Sequence, residues 1–310
     1  MQIYLAPLEG ITGYAYRQAV HECFGGFDKY FIPFIRAKQN LRFSSRETKD
    51  ILPENNKGMH AVPQILTRNG EDFVHTAEQI REYGYKEINL NLGCPSGTVV
   101  SKGRGAGFLR EPEKLDRFFD TVFANLDMRI SVKTRIGIYE PEEFEGLLEI
   151  YNRYPLEELI IHPRVRQDFY KNHPNMEVFE KACENSANPL CYNGDLCTAE
   201  EIQRFGSRYP QVKAVMIGRG ILKNPGLVGE VKGHEKAGKE RLRKFHDQIY
   251  HDYRSIMSGD KNTVFKMKEF WSYLISSFEE GEKCWKKIKK SQTAAAYEAA
   301  VEEVFSGYVS

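Results

Sequence analysis

The chain lacks any apolar run long enough to span a bilayer: no window approaches the roughly eighteen consecutive apolar residues that a membrane helix needs. Its opening, MQIYLAPLEG, has neither a basic segment nor a long apolar stretch. This leads us to expect a soluble, cytoplasmic protein with no leader and no membrane partner. The C-x-x-C motif is also missing. The six cysteines, Cys23, Cys94, Cys183, Cys191, Cys197 and Cys284, have no zinc-ligand spacing, so reduced thiols and no metal are expected. Charge of one sign is lacking too, with 44 Lys+Arg against 43 Asp+Glu. That balance excludes the basic footprint of a dedicated nucleic-acid domain. The asymmetry is mild: from Lys232 onward 15 basic residues face 12 acidic ones, giving +3 there and −2 in the remainder. No internal repeat or low-complexity segment stands out.

What is present is a regular alternation. Short β-branched runs recur at 3–7, 29–33, 61–65, 87–91, 129–133, 159–163, 189–193 and 214–218. Between most of them lie segments of helical period, such as 71–84, 113–126, 141–154 and 198–206, the last opening on a Thr-x-x-Glu capping box. Strands that alternate with helices must run parallel, because each helix returns the chain to the start of the next strand. Eight such units in about 220 residues predict a (β/α)8 TIM barrel. A doubly wound open sheet is the rival, disfavoured by the even spacing and the absence of a dinucleotide fingerprint in the first turn. The second unit is the least clear, since 34–59 holds no convincing long helix. Beyond Gly226 the strand pattern stops. Helical spacing at 239–257, 261–279 and 290–306, with a break at 279–282, predicts a small C-terminal helical domain of three or four helices. The expected division is a barrel over 1–235 and a helical unit over 236–310.

In such a barrel chemistry sits at the C-terminal ends of the strands. There the sequence places Pro7, Leu8 and Glu9, then Gln64, then Asn91 and Cys94. Lys133 and Arg135, His162 and Arg164, Asn193-Gly194-Asp195 and Gly218-Arg219-Gly220 follow. Each has an ordinary structural reading: a lone cysteine is usually an inert small hydrophobe, a histidine beside proline is usually structural, and glycines make tight turns. The case for a site is their convergence on one rim. Glycine-rich turns after strands seven and eight suit a phosphate, with Arg219 adding charge. The cluster Gly103–Phe108 is not a dinucleotide fingerprint, because Phe108 stands at the third glycine position. It reads as a flexible loop above the rim that carries Lys102 and Arg104 toward a polyanion, or as a merely solvated one.

APLEGIT, EINLNLGCPSGTVVSKGRGAGFL, SVKTRIG, IIHPR, NGD and GRG, in that order from residue 3 to about 226, resemble the tRNA-dihydrouridine synthases. The N-x-G-C-P block followed by G-x-G-x-x-L is the specific part. The resemblance implies FMN in the barrel, NADPH or NADH as reductant, and reduction of the C5=C6 bond of uridines in folded RNA. It implies that Pro7, Leu8 and Glu9 line the flavin ring, that Gln64 meets its polar edge, that Lys133 sits by the N1/C2 side, and that His162 lies near the same edge or the phosphate. Asn193, Gly194, Asp195, Gly218 and Arg219 would cradle the phosphate. Cys94 would be the general acid that protonates C5 while hydride arrives at C6, and Asn91 would orient the base. Two positions depart from the family pattern, Gly97 where a lysine and Val100 where an asparagine is common, which bears on the grip on RNA.

In the tail, KCWKKIKK at 283–290 places five lysines in eight residues. Charge alone describes a solvated helix face; with the resemblance, Lys286 and Lys287 become RNA contacts. The expected partner is tRNA, with ribosomal RNA as an alternative and no obligate protein partner. Two other readings remain: the same barrel acting on a free pyrimidine, which would need no basic tail, and an RNA-binding barrel without catalysis, which would need no Cys94, Lys133 or His162.

Overall fold

All eight β-branched runs form parallel strands in a computed structural model of the chain, which describes residues 1–37, 42–278 and 281–307. They are β1 (Gln2–Leu5), β2 (Lys29–Arg36), β3 (Ala61–Leu66), β4 (Glu87–Leu92), β5 (Arg129–Arg135), β6 (Glu158–His162), β7 (Leu190–Tyr192) and β8 (Ala214–Ile217). Each pairs with the next, and β8 pairs back onto β1, with Gln2 opposite Ala214 and Leu5 opposite Ile217. The fold is the closed (β/α)8 barrel that the spacing predicts.

Helices return the chain between strands, and two short ones follow β8. In order they are α1 (Tyr14–Cys23), α2 (Ser45–Ile51), α3 (Gly70–Arg81), α4 (Gly97–Val100), α5 (Pro112–Asn125), α6 (Glu143–Tyr151), α7 (Met176–Asn185), α8 (Ala199–Arg208), α9 (Arg219–Lys223) and α10 (Leu227–Val231). Their starts are written in side chains. Asn69 accepts from the Asp72 N–H at 2.8 Å to cap α3, and Thr198 with Glu201 forms the expected capping box of α8. The unclear second unit has a physical reason. Strand β2 runs three residues past its expected end, to Arg36, and α2 has only seven residues before a 3-10 turn at Pro53–Asn56.

Alternation along each strand divides the core in two. Ile3, Leu5, Leu90, Val132, Ile161 and Val215 pack outward under the helices. Tyr4, Phe31, Val62, Ile160, Cys191 and Met216 pack inside the barrel. The inward parity of β4 is Glu87, Asn89, Asn91, and that of β5 is Ser131, Lys133, Arg135. A polar file therefore climbs through the interior from floor to rim.

After the barrel come α11 (Lys239–Ile256), α12 (Asp260–Leu274), α13 (Gly281–Lys290) and α14 (Ala294–Ser306). The second expected helix stops at Leu274, and the lysine-rich segment forms α13, which the three expected spans omit. Of the expected break at 279–282, residues 279–280 lie outside the described residues. Trp271 donates to Tyr297 Oη at 2.8 Å, and His246 Nε2 lies 2.7 Å from the same oxygen. The tail rests on the barrel through edge-on contacts of Tyr16 in α1 with Phe245 and Phe270. Lys266 of α12 donates to the carbonyl of Gly10, in the loop at the barrel mouth. Among the described residues no helix is long and apolar enough to cross a membrane, and no three His, Cys, Asp or Glu side chains group to hold a metal.

Candidate active site

Strand β4 hands the chain to a turn whose shape is set by one side chain. Asn91 Oδ1 accepts from the N–H of Gly93 at 3.1 Å and of Cys94 at 2.9 Å. Arg135 Nε donates to the Gly93 carbonyl at 3.0 Å from the neighbouring strand. The thiol of Cys94 is half-buried against Phe34, Leu66 and Val99. Burial pushes its pKa up, aided by Glu9 and opposed by a backbone hydrogen bond from Ser96 and by Arg135 and Lys133. The thiol is therefore held in its protonated form.

The Gly103–Phe108 cluster is not the free loop expected from its glycines and charges. It is a 3-10 turn, Gly105–Arg110, buried from Gly105 to Leu109 and packed against the cysteine turn. Ala106 N–H donates to the Cys94 carbonyl at 3.1 Å. A β-carbon at Gly105, which has φ +56°, would stand 2.9 Å from that carbonyl, and one at Gly107 would stand 2.7 Å from the Val100 carbonyl. The glycines serve close approach rather than mobility. Lys102 remains exposed and Arg104 half-buried beside this turn. Val100 is buried and Gly97 faces open space, so neither family-typical polar group has a replacement at its own position.

Below the thiol, Asn91 Nδ2 donates to Gln64 Oε1 at 2.7 Å, and Gln64 Nε2 donates to Asn89 Oδ1 at 2.7 Å. Asn91 is thus first a support for the cysteine turn, with one N–H left to offer. Lys133, opposite Asn91 in the sheet, has no hydrogen-bond or ion-pair partner among the described residues. Burial and Arg135 push its pKa down to about 8. Burial, together with Arg135, Lys133, Arg164 and Arg219, holds His162 well below the usual imidazole range. Arg164 Nη1 donates to His162 Nε2 at 2.9 Å, which puts the proton of the neutral ring on Nδ1 and makes that nitrogen a donor.

The ends of β7 and β8 meet in a positively charged corner. Asp195 takes ion pairs from Arg164 and, at 2.6 Å, from Arg219. Burial alone would raise Asp195; the Arg164 hydrogen bond and the two guanidinium charges hold it below its usual value. Asn193 Nδ2 donates to the Met216 carbonyl at 2.8 Å and ties the two strand ends together. A β-carbon at Gly194 would stand 2.6 Å from Tyr192 Oη, and one at Gly220 2.5 Å from the Leu196 carbonyl, so these backbone turns admit no side chain. Gly218 abuts Ala6 and Leu8.

Tyr170, unmarked in the sequence, also stands here. The guanidinium of Arg219 lies 4.6 Å and that of Arg135 5.5 Å from its ring centre. The residue before it, Phe169, has φ +50°, a conformation rare outside glycine, and its carbonyl accepts from Arg135 Nη2 at 2.7 Å. Its signal in the sequence is only the aromatic pair itself, in a segment without a motif.

Pro7 and Leu8 are half-buried at the mouth, and Glu9 pairs with Arg46 at 2.8 Å. Lys286 and Lys287 are exposed on α13, away from the strand ends; Lys287 pairs with Glu303 at 2.7 Å.

The family model for dihydrouridine synthase (Dus) matches residues 4–306, nearly the whole chain, and the chain belongs to that family. Among curated relatives, one of Staphylococcus aureus (strain COL), named probable tRNA-dihydrouridine synthase, is 27% identical over 310 residues, spanning 96% of this chain and 92% of its own. The tRNA-dihydrouridine synthase B of Shewanella oneidensis is 25% identical over 278 residues, spanning 84% of each. Two solved structures share the fold at low identity. A variant of NCR from Zymomonas mobilis has TM-score 0.54 and 13% identity over 79% of this chain and 90% of its own. TcOYE with pHBA has TM-score 0.56 and 11% identity over 79% and 92%.

Proposed function

We propose that this protein reduces the C5=C6 bond of uridines in tRNA to give dihydrouridine, with FMN in the barrel mouth and NADPH or NADH as reductant. One observation carries the reading: a thiol kept protonated at the rim, with a half-buried ammonium on the adjacent strand that has no partner among the described residues. The names of the curated relatives support tRNA as the substrate.

The residues fit a flavin mononucleotide. Two guanidinium groups, Arg164 and Arg219, against one carboxylate leave excess positive charge for a phosphate. The glycine turns beside them pack so closely at Gly194 and Gly220 that no side chain fits there, which lets backbone rather than side chains form this corner. A half-buried ammonium without a partner among the described residues is costly, so Lys133 calls for an anionic or polar ring edge. Pro7 and Leu8 give that ring an apolar bed. When bound, reduced FMN supplies the hydride equivalent that adds at uracil C6.

The rest falls to the chain. Negative charge left on the base collects at C5 and its conjugated carbonyl, and C5 needs a proton. Cys94 gives it from its Sγ, and the thiolate is reprotonated from solvent, so one S–H bond breaks as one C–H bond forms. The elevated thiol pKa suits an acid rather than a nucleophile. Asn91 holds the turn that aims Sγ. Residues 1–235 would hold the cofactor, and 236–310 would grip the RNA through Lys286 and Lys287, with Lys102 and Arg104 at the mouth.

The test has two parts. The purified protein should be yellow with a flavin spectrum, and RNA from cells lacking it should lose dihydrouridine at defined tRNA positions. A colourless protein that takes up no FMN, or an unchanged dihydrouridine map, contradicts the proposal.

A further inference from the structure

We infer that Glu87, at the floor of the barrel, is a positioning residue for Cys94 at the rim, acting through a one-way file of hydrogen bonds. The Cys94 N–H donates to Asn91 at 2.9 Å, Asn91 to Gln64 at 2.7 Å, and Gln64 to Asn89 at 2.7 Å. Asn89 Nδ2 then donates to Ser131 Oγ at 3.0 Å, and Ser131 donates to Glu87 Oε1 at 3.1 Å. Every donor points toward the floor.

The direction is dictated from both ends. At the floor, the Glu87 carboxylate is held by Lys29 Nζ at 3.0 and 2.9 Å and offers only lone pairs, and the Ser131 hydroxyl donates to it at 3.1 Å in preference to the Ile88 carbonyl at 3.5 Å. Ser131 then presents a lone pair upward, which takes an N–H of Asn89 and turns the Asn89 oxygen toward Gln64. The same step repeats at Gln64 and at Asn91. At the rim, the two backbone N–H groups of Gly93 and Cys94 can only donate, so they require an oxygen from Asn91. The two ends demand the same polarity, and three carboxamides connect them without a mismatch.

Burial makes this arrangement matter. Gln64, Asn89 and Ser131 are 0% exposed, so water has no access to replace a broken link. A carboxamide can turn over by a half-rotation of its side chain. If Asn91 did so, its NH2 would face two N–H donors and the cysteine turn would lose both of its hydrogen bonds to Asn91. Bonds aligned head to tail in a low-dielectric interior also strengthen one another.

The relay itself does not depend on the proposed reaction; only its effect on turnover rests on that reading. The test compares amide hydrogen exchange at Gly93 and Cys94 in the holoenzyme for wild type, Ser131→Ala and Asn89→Leu. Ser131→Ala removes one oxygen and keeps the strand. Both variants should speed exchange at those two amides about five- to tenfold, the worth of roughly one hydrogen bond. Exchange in β6, β7 and β8 should stay at wild-type rates. On RNA, kcat should fall by a similar factor while KM is unchanged. Unchanged exchange at the turn, or acceleration spread evenly over the barrel, overturns the relay; the second result would make Ser131 a packing residue only. Exchange needs no RNA, so an inactive wild type whose turn still responds to Ser131→Ala would refute the reaction and leave the relay standing.

Discussion

Lys133 is the residue whose placement makes least sense on structural grounds alone. Burial pushes it down to about 8, and no side chain among those described balances it. Removing a partly desolvated, unpaired charge generally helps folding, while a binding site gives up stability to keep one. Lys133→Met should therefore raise the stability of the flavin-free protein by about 1 kcal/mol and weaken FMN binding by at least about tenfold. Denaturant titration and flavin fluorescence titration would show the two opposite changes; a variant that binds FMN like wild type would remove Lys133 from the site. The floor of the barrel holds a second such residue. Burial raises Glu158 to about 7, against the pull of Lys29 and a hydrogen bond from Tyr4, and its Oε2 has no partner among the described residues. A carboxyl whose folded pKa is raised contributes stability that is full below its unfolded value, near 4.5, and is lost as pH rises through about 7. Unfolding free energy should thus fall by roughly 1–3 kcal/mol between about pH 5 and about pH 8, and Glu158→Gln should flatten that slope. Denaturation curves across that range check it; equal slopes in the two proteins would contradict it.

Among the elements, strand ends are legible in the sequence and their supports are not. Period-two alternation places Gln64, Asn91, Lys133 and His162 on one face of their strands, so their meeting at the rim follows from parity once the barrel closes. The glycines of Gly103–Phe108 read as slack because sequence gives composition but not packing; in the fold they let a 3-10 turn press against Cys94 and Val100. Tyr170 and the amide file stay hidden for a similar reason, since one lies in a loop without pattern and the other is a match between three strands. Helix α13 escapes the spacing rule because its lysines obscure the apolar period that Ile288 and Trp285 supply. Gly107→Ala tests the support role. Its β-carbon would meet the Val100 carbonyl at 2.7 Å, so the turn must shift. We expect a loss of about 1–3 kcal/mol and a larger proportional loss in turnover on RNA than in flavin content. Wild-type melting and turnover would show that the turn gives way without consequence.

At the scale of the whole molecule, the helices α11–α14 contact the barrel through α1 and through Lys266 at the mouth, and the exposed lysines of α13 belong to this same unit. Lys287 is engaged by Glu303 in an exposed pair, which contributes little and which a phosphate can displace. Replacing Lys286 and Lys287 by glutamine should weaken tRNA binding and lower the slope of log affinity against log salt by about 0.7–0.9 for each phosphate no longer neutralised. An unaltered slope would place the RNA elsewhere.

The central claim is a thiol at the rim that protonates a pyrimidine while hydride adds to the neighbouring carbon. The direct measurement is the reaction of FMN-loaded protein with NADPH and unmodified tRNA in D2O, with the deuterium located in the product. The prediction is dihydrouridine that always carries solvent deuterium at C5, with label at C6 only to the extent that the N–H of reduced flavin exchanges with solvent before transfer, and a rate on Cys94→Ala lower by about a hundredfold or more at unchanged flavin content. Solvent label at C6 in place of C5, or a Cys94→Ala variant as fast as wild type, would contradict it.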